Sequence, residues 1–428
     1  MRRHASCIVA AAMLLVSGCG GSDGGGSGSG NPTPTPTPTP TPAIFQQVAQ
    51  TPNQYNVALA LNTLEQSGAS LGLYNKLLML SAPEARGAFE SLSGEMHASA
   101  KSALVTTSRF ARDAAFERLG QTLDEPGPMQ VASLGYDYQD YQRDKASPGL
   151  TLWGQGIGNW SRLDRDDNAA ALRTSTAGLL MGVDGAVGSR ARIGLLAGYS
   201  RDEFNVRQRG STGDSENIHL GVYGGARFDA LSLRAGLSYT WHDLATDRIV
   251  AFPGFSDRLR ADYGGGTFQA FGELAWRYDA GSLLVEPFAN IAHVRLRLDG
   301  FEERSQEAGT GEAAALSAPK QTMETTFASL GLRGSAGFDL GGLQATAFGS
   351  VAWRHTLGDT TPRAVLALPD TSGSFLVSGA PLADNLATIR AGLDFRASDR
   401  ISFAISYNGD FGSATTSHGV SGNLRFRF

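Results

Sequence analysis

Residue types that do chemistry are few in this chain and badly spaced for it. Both cysteines, Cys7 and Cys19, fall at the amino terminus, which excludes a disulfide framework or a thiolate metal site in the remainder. The histidines (positions 4, 97, 219, 242, 293, 355 and 418) include no HxH or HxxxH pair. The run Asp164-Arg165-Asp166-Asp167-Asn168 offers oxygens to a Ca²⁺ ion, but it lacks the turn glycine and terminal Glu of an EF-hand loop. It reads as a solvated loop. Gly264-Gly265-Gly266 is followed by neither Lys-Ser nor a helix, so it is no phosphate cradle. No catalytic set, cofactor site or metal site is therefore expected. What remains is electrostatic: Arg234, Glu286, Arg354, Arg425 and Arg427, charges set into segments of alternating polarity.

Alternation of that kind calls for strands. In Gly419 to Phe428 (GVSGNLRFRF), Val420, Gly422, Leu424, Phe426 and Phe428 share one parity. Gly419, Ser421, Asn423, Arg425 and Arg427 share the other. Successive side chains of a strand point to opposite faces, so this strand is apolar on one side and polar on the other. Leu231 to His242 repeats the pattern, with Leu231, Leu233, Ala235, Leu237, Tyr239 and Trp241 opposed to Ser232, Arg234, Gly236, Ser238, Thr240 and His242. Twelve such strands are expected, near 151–162, 174–188, 190–207, 214–229, 231–247, 264–279, 282–298, 323–339, 341–357, 384–398, 400–413 and 416–428.

The connections alternate in length. Short turns fall near Gly188-Ser189, Asp229-Ala230, Ala280-Gly281, Gly341 and Ser398-Asp399. Longer loops fall at 163–173, 208–213, 248–263, 299–322 and 358–383, with a short one near 414–415. This is the pattern of an outer-membrane barrel. Lipid offers no hydrogen-bond partner, so a spanning sheet must close on itself. Tyr239, Trp241, Trp353 and Tyr407 suit an interfacial girdle, and Arg234, Glu286, Arg354, Arg425 and Arg427 become lumen charges. A twelve-stranded barrel is too wide for its side chains to fill, so a pore or a plug follows. A soluble β-sandwich or propeller is the runner-up.

Composition agrees. The 428 residues are only 18% charged and include 54 glycines, a Gly-rich bias with few charges. There is no apolar run long enough for a membrane helix. The net charge of −5 is mild and the basic residues are scattered, so no nucleic-acid partner is expected.

Ahead of the barrel the sequence predicts helices over 44–125. Thr51-Pro52-Asn53-Gln54 and Ser81-Ala82-Pro83-Glu84 both read as capping-box starts with proline in the first turn. A third helix is expected from about Gly94 to Leu119, close to 40 Å long at ~1.5 Å per residue. Lys101, Arg109, Arg112, Asp113, Glu117 and Arg118 keep it out of lipid. A polar pore and a soluble helical hairpin both fit it. Residues 126–149 read as a linker.

At the amino terminus, Met1-Arg2-Arg3-His4 is a positive n-region and Ile8 to Val16 a short apolar h-region. The sequence Leu15-Val16-Ser17-Gly18-Cys19 resembles a bacterial lipoprotein signal. The resemblance implies that residues 1–18 are removed and that Cys19 carries acyl chains; an ordinary secretory peptide is the alternative. Residues 19–43, Gly/Ser-rich and then Thr-Pro repeats, form a tether.

From Leu92 onward the chain resembles the translocator domain of type V autotransporters. Leu92-Ser93-Gly94-Glu95-Met96-His97-Ala98 with Ser108-Arg109-Phe110 is similar to that family's pre-barrel helix, and Trp153-Gly154-Gln155-Gly156 with Trp160 to its first strand. Tyr239-Thr240-Trp241-His242, Glu286-Pro287-Phe288-Ala289 and Trp353-Arg354-His355 follow in order. The resemblance implies a monomeric barrel over 150–428 with a helix through its pore and no enzyme activity. It implies export of an amino-terminal passenger to the cell surface. The implied partners are outer-membrane lipid, periplasmic chaperones and the barrel-assembly machinery, with the last strand (Leu424, Phe426, Phe428) as the assembly signal. The passenger is expected to be minimal, since no β-helix repeat and no GDSL or GxSxG motif lies between Cys19 and the pre-barrel helix. Two rivals stand beside this: an adhesive surface protein acting through loops 248–263, 299–322 and 358–383, and a passive porin. Glu286 is expected to meet Arg109 or Arg112 of the pore helix.

Overall fold

The computed structural model describes residues 44–123, 150–306 and 312–428. The expectations for residues 1–18, 19–43 and 126–149, with Cys19, lie outside the described residues.

Twelve antiparallel strands follow one another in chain order. They are β1 (Thr151–Leu163), β2 (Leu172–Val187), β3 (Ala191–Val206), β4 (Ser211–Phe228), β5 (Leu231–Phe252), β6 (Phe255–Trp276), β7 (Leu283–Leu298), β8 (Gln321–Leu340), β9 (Leu343–Gly358), β10 (Asn385–Arg396), β11 (Ile401–Gly412) and β12 (Thr415–Arg427). β12 returns to β1, with Thr151 opposite Arg427 and Leu163 opposite Thr415, and β6 pairs with β7. The sheet is closed, so every spanning strand is paired on both sides. The hairpin turns at one end are tight: Gly341 and Gly342, both at positive φ (65° and 95°), join β8 to β9, the conformation that a two-residue hairpin turn requires.

Side chains alternate as a membrane barrel requires. On β5, Leu231, Leu233, Leu237, Tyr239 and Trp241 are exposed on the outside, whereas Ser232, Arg234, Ser238, Thr240 and His242 are buried inside. The ten steps from Leu231 to Trp241 rise about 33 Å along the strand, or about 25 Å once tilted, the height of a hydrocarbon band.

Beyond Trp241 the parity continues but the chemistry changes faces. Asp243 is exposed and Asp247 half-buried on the outside, while Leu244, Val250 and Phe252 are buried inside. On β6, Arg258, Arg260 and Asp262 face out while Leu259 and Ala261 face in. On β7, Arg295 and Arg297 face out while Val294, Leu296 and Leu298 face in. Between β4 and β5 the boundary is level in the register: Trp241 lies beside Ile218, and Asp243 beside Glu216. Here water replaces lipid outside, and an apolar core replaces the polar lumen inside.

Consequently the expected loop 248–263 is corrected. β5 and β6 run on as a hairpin to Phe252 and Phe255 and turn at Pro253-Gly254, because inward apolar residues continue to find that core. The loop after β7 pairs Phe301–Glu302 with Ser317–Ala318, and the loop after β9 pairs Arg363–Leu366 with Phe375–Ser378.

Among the described residues five α-helices precede the barrel: α1 (Pro52–Leu61), α2 (Gly68–Leu78), α3 (Ala82–Leu92), α4 (Glu95–Thr107) and α5 (Arg109–Leu123). Both expected capping boxes are present, at Thr51–Gln54 and Ser81–Glu84. The sequence reading missed α2, whose start makes no side-chain cap bond. The single helix expected over 94–119 is two, divided at Ser108. There the Thr107 and Ser108 hydroxyls donate back to Leu104 O (3.3 Å) and Val105 O (2.7 Å), a back-bonding that bends helices. α1 to α3 cover the loop end of the barrel. Phe45, Val57, Leu61, Leu73, Leu77 and Phe89 share one buried core with Val250, Phe252, Phe255, Leu298, Leu316 and Val377. Each such side chain contributes about 1.5–3 kcal/mol.

Candidate functional site

α4 and α5 carry charged and small residues all round, and most of them are buried. A helix of that composition is buried only where polar partners surround it. The closed barrel supplies them. Glu95, at the start of α4, lies at the loop end, where its carboxylate accepts from Arg209 Nε (2.7 Å) and Ala170 N (2.6 Å). Leu123, the last residue of α5, lies at the turn end, where its carbonyl accepts from Arg227. The helix pair therefore runs the length of the lumen.

Its bonds reach strands on every side. Arg109 Nη1 meets Asp410 of β11 at 2.6 Å, and its Nη2 donates to Asn159 of β1 at 2.9 Å. Arg112 donates to Gln269 of β6. Arg118 grips Asp184 of β2 with two parallel bonds (2.5 and 2.9 Å), the strongest geometry available to an Arg–carboxylate pair. Glu117 pairs with Arg390 of β10, and Arg425 Nη1 of β12 donates to Gln121 at 2.8 Å. The gap beside Arg109, Glu117 and Arg390 is about 30 Å³, room for a water molecule.

Each sequence-derived site residue has a definite place. Arg234 and Glu286 are fully buried in the lumen, but their partners are in the wall. Arg234 meets Glu286 at 2.9 Å and Glu273 at 2.7 Å, and Arg333 of β8 joins Glu273 at 2.5 Å. The expectation that Glu286 meets Arg109 or Arg112 is thus overturned: Glu286 pairs with Arg234 and Arg333 of the wall, while Arg109 and Arg112 pair with Asp410 and Asp113. Gly120 is the helix residue that faces this quartet; a Cβ there would lie 3.7 Å from Arg234 and Arg333. Arg354 approaches Asp410 at 3.6 Å, beside Arg109. Arg425 is inside, whereas Arg427 shares its parity but is exposed at the turn-end rim. Leu424, Phe426 and Phe428 are exposed on the outer face. The helix's partners Asn159, Asp184, Gln269, Arg390 and Asp410 were not singled out from sequence, although all lie on polar faces of alternating strands.

At the loop end a second charged set seals the cap over the lumen. Glu303 is bonded to Arg248 through two nitrogens and accepts at 2.8 Å from His97 Nε2 of α4. Arg248 Nη1 also donates to Ser91 O of α3 at 2.8 Å. Burial is the largest single influence and would raise the Glu303 carboxyl, but the Arg248 charge and the hydrogen bonds from His97 and Arg248 together outweigh it and hold the group down at about 2. Burial pushes His97 below its ordinary value against the pull of Glu303, so the imidazole is neutral and donates. The αL residue Gly94 (φ 66°) lets the chain turn from the cap into α4, and a Cβ there would strike Leu316 at 2.3 Å.

Comparison with known proteins agrees with this architecture. The Autotransporter beta-domain family matches residues 152–408. An extracellular serine protease of Serratia marcescens is 32% identical over 372 residues, 87% of this chain, and the chain spans 34% of that protein's length. The translocator domain of autotransporter NalP from Neisseria meningitidis superposes with a TM-score of 0.53 at 13% identity, covering 76% of this chain and 99% of that one. The beta domain of the Bordetella autotransporter BrkA gives 0.50 at 18% identity over 65% of this chain and 100% of its own.

Proposed function

The chain belongs to the autotransporter beta-domain family, an outer-membrane barrel, and from that premise we propose that it displays its own amino-terminal segment at the cell surface. One observation carries this reading. Helices α4 and α5 traverse the lumen from the loop end to the turn end, and α1 to α3 pack on the loop end. Loops are external and turns periplasmic in such barrels, so residue 44 stands outside. The tether preceding it then starts from the outer surface, and an acylated Cys19 would anchor to the external leaflet.

In this reading the cap of α1 to α3 is displayed at the cell surface together with what precedes it. The barrel itself performs no catalysis; protease activity belongs to the Serratia protein and is not transferred. Leu424, Phe426 and Phe428, exposed on the outer face at the end of the closing strand, offer the barrel-assembly machinery its apolar recognition pattern. A passive porin suits the geometry less well, because α4 and α5 fill the lumen.

An epitope inserted near Gly25 tests the orientation on intact cells. Digestion by added protease, with the barrel left intact, supports surface display. Protection of the epitope until the outer membrane is permeabilised refutes it. Labelling with a radioactive fatty acid, lost in a Cys19→Ala variant, tests the anchor separately.

A further inference from the structure

On the outer wall just beyond the hydrocarbon band, strands β12 and β1 to β4 form a groove of about 830 Å³. Its external row reads across the strands as Thr416, Arg162, Arg173, Asn205 and Thr212, each opposite the next. From β12 to β4 this row holds two cations and three neutral hydrogen-bonding groups; the carboxylate that follows in register, Asp247 of β5, is taken up by Arg258 and Arg260 at 3.0 and 3.5 Å. Like charges directly opposite in a sheet repel. On other parts of the outer wall arginines face carboxylates: Arg201 with Glu216, Asp247 with Arg260, and Arg295 with Glu324, at 3.5, 3.5 and 3.1 Å; Asp243 also faces Glu216, whose charge Arg201 offsets. Arg162 has only the half-exposed Asp164 of its own loop, at 2.6 Å. Among the described residues, Arg173 makes no side-chain ion pair or hydrogen bond.

The next row toward the membrane holds Trp160, with Glu203 and Asp214 across the groove. Trp160 is 59% exposed, a free ring face at the level where hydrocarbon gives way to head groups. We propose that this groove binds a phosphorylated glycolipid of the outer leaflet. A phosphate sits between Arg162 and Arg173 and relieves their repulsion through charge-assisted bonds. The sugar lies over Trp160 and donates its hydroxyls to Glu203 and Asp214. The acyl chains continue down the apolar wall, so the lipid supplies all three chemistries at the depths where the groove asks for them. This site involves neither the lumen nor the cap and does not depend on what the barrel displays.

The test uses the full chain in non-ionic detergent, with heat-modifiable gel mobility confirming the folded barrel. The probes are bis-phosphorylated lipid A, its dephosphorylated counterpart and inorganic phosphate, and binding is read by native mass spectrometry. The expected result is at least a tenfold preference for the phosphorylated lipid. That preference is lost in Arg162→Gln/Arg173→Gln, reduced in Arg173→Gln alone, and retained in Arg295→Gln. Millimolar inorganic phosphate is expected not to displace the lipid. The proposal is overturned if the phosphorylated and dephosphorylated lipids bind alike, or if Arg295→Gln loses as much as the groove variants. It is equally overturned if inorganic phosphate alone displaces the lipid, which would make the site a simple anion site. Should the double variant fail to fold, wild-type binding by Arg173→Gln also overturns it.

Discussion

Replacing Arg118 by Met removes one clasp between the helix and the wall while leaving the wall intact. Arg118 is 5% exposed and its two bonds to Asp184 are 2.5 and 2.9 Å. Breaking a buried pair usually costs about 3–5 kcal/mol, because the partner charge is stranded. Here Asp184 is not stranded, since Arg192 and the Tyr223 hydroxyl (2.9 Å) remain on it. Met also fills most of the volume that Arg vacates. The loss should therefore fall to about 2–3 kcal/mol, which shifts the balance between docked and undocked helix by about 30- to 150-fold. Planar-bilayer recordings of the full chain would register this as more frequent open events of unchanged size. Asp184→Asn in the Arg118→Met background should add little, since the pair is already broken. Opening within about threefold of wild type, in a barrel whose heat-modifiable mobility is unchanged, would show that the clasp does not hold the helix.

Two glycines should respond with opposite signs. A Cβ at Gly379 would lie 2.3 Å from the Ser99 backbone nitrogen of α4, so Gly379→Ala should loosen the contact between loop and helix by about 1–3 kcal/mol and raise amide exchange in α4. Gly120→Ala meets only ordinary contacts at 3.7 Å and should stabilise α5 by about 0.5–1 kcal/mol, slowing exchange there. The cap should release in acid. Glu303 is held at about 2, below its unfolded value of 4.5, and His97 lies below its unfolded 6.5. For both, the stabilisation is complete above the unfolded value and is lost as pH falls toward the folded one. Protease sensitivity of residues 44–107 should therefore rise on acidification from pH 7, with His97 acting first below 6.5 and Glu303 below 4.5, while the barrel persists. A cap that loosens instead at alkaline pH would contradict that assignment.

The strands were legible because their signal is local. In Leu231 to Trp241 every second residue is apolar, and lipid on one side and a polar lumen on the other demand no more than that. The capping boxes at Thr51 and Ser81 were legible for the same reason, as their partners lie three residues away. α2 was not, since its start has no side-chain cap and its glycines dilute the helical pattern. The loop expected at 248–263 shows a subtler limit. The strand period persists through Asp247 and Phe252, but the polarity of its faces reverses, and only a cap of helices packed inside the rim makes inward-facing Val250 and Phe252 favourable.

What the sequence determined by itself is the closed, two-faced sheet and the presence of a helix too polar for lipid. Where that helix lies, and what each charge holds, the tertiary structure decided. Arg118 and Asp184 are 66 residues apart, and Arg109 and Asp410 are farther apart still; periodicity assigns a face to each of them but not a partner. Glu286 makes the point most plainly. Its lumen face could be read from alternation, but its partner depended on which strands close around it, and the register delivered Arg234 in place of the helix. Ion pairs across a lumen follow from barrel closure, a global property to which no short window of sequence gives access.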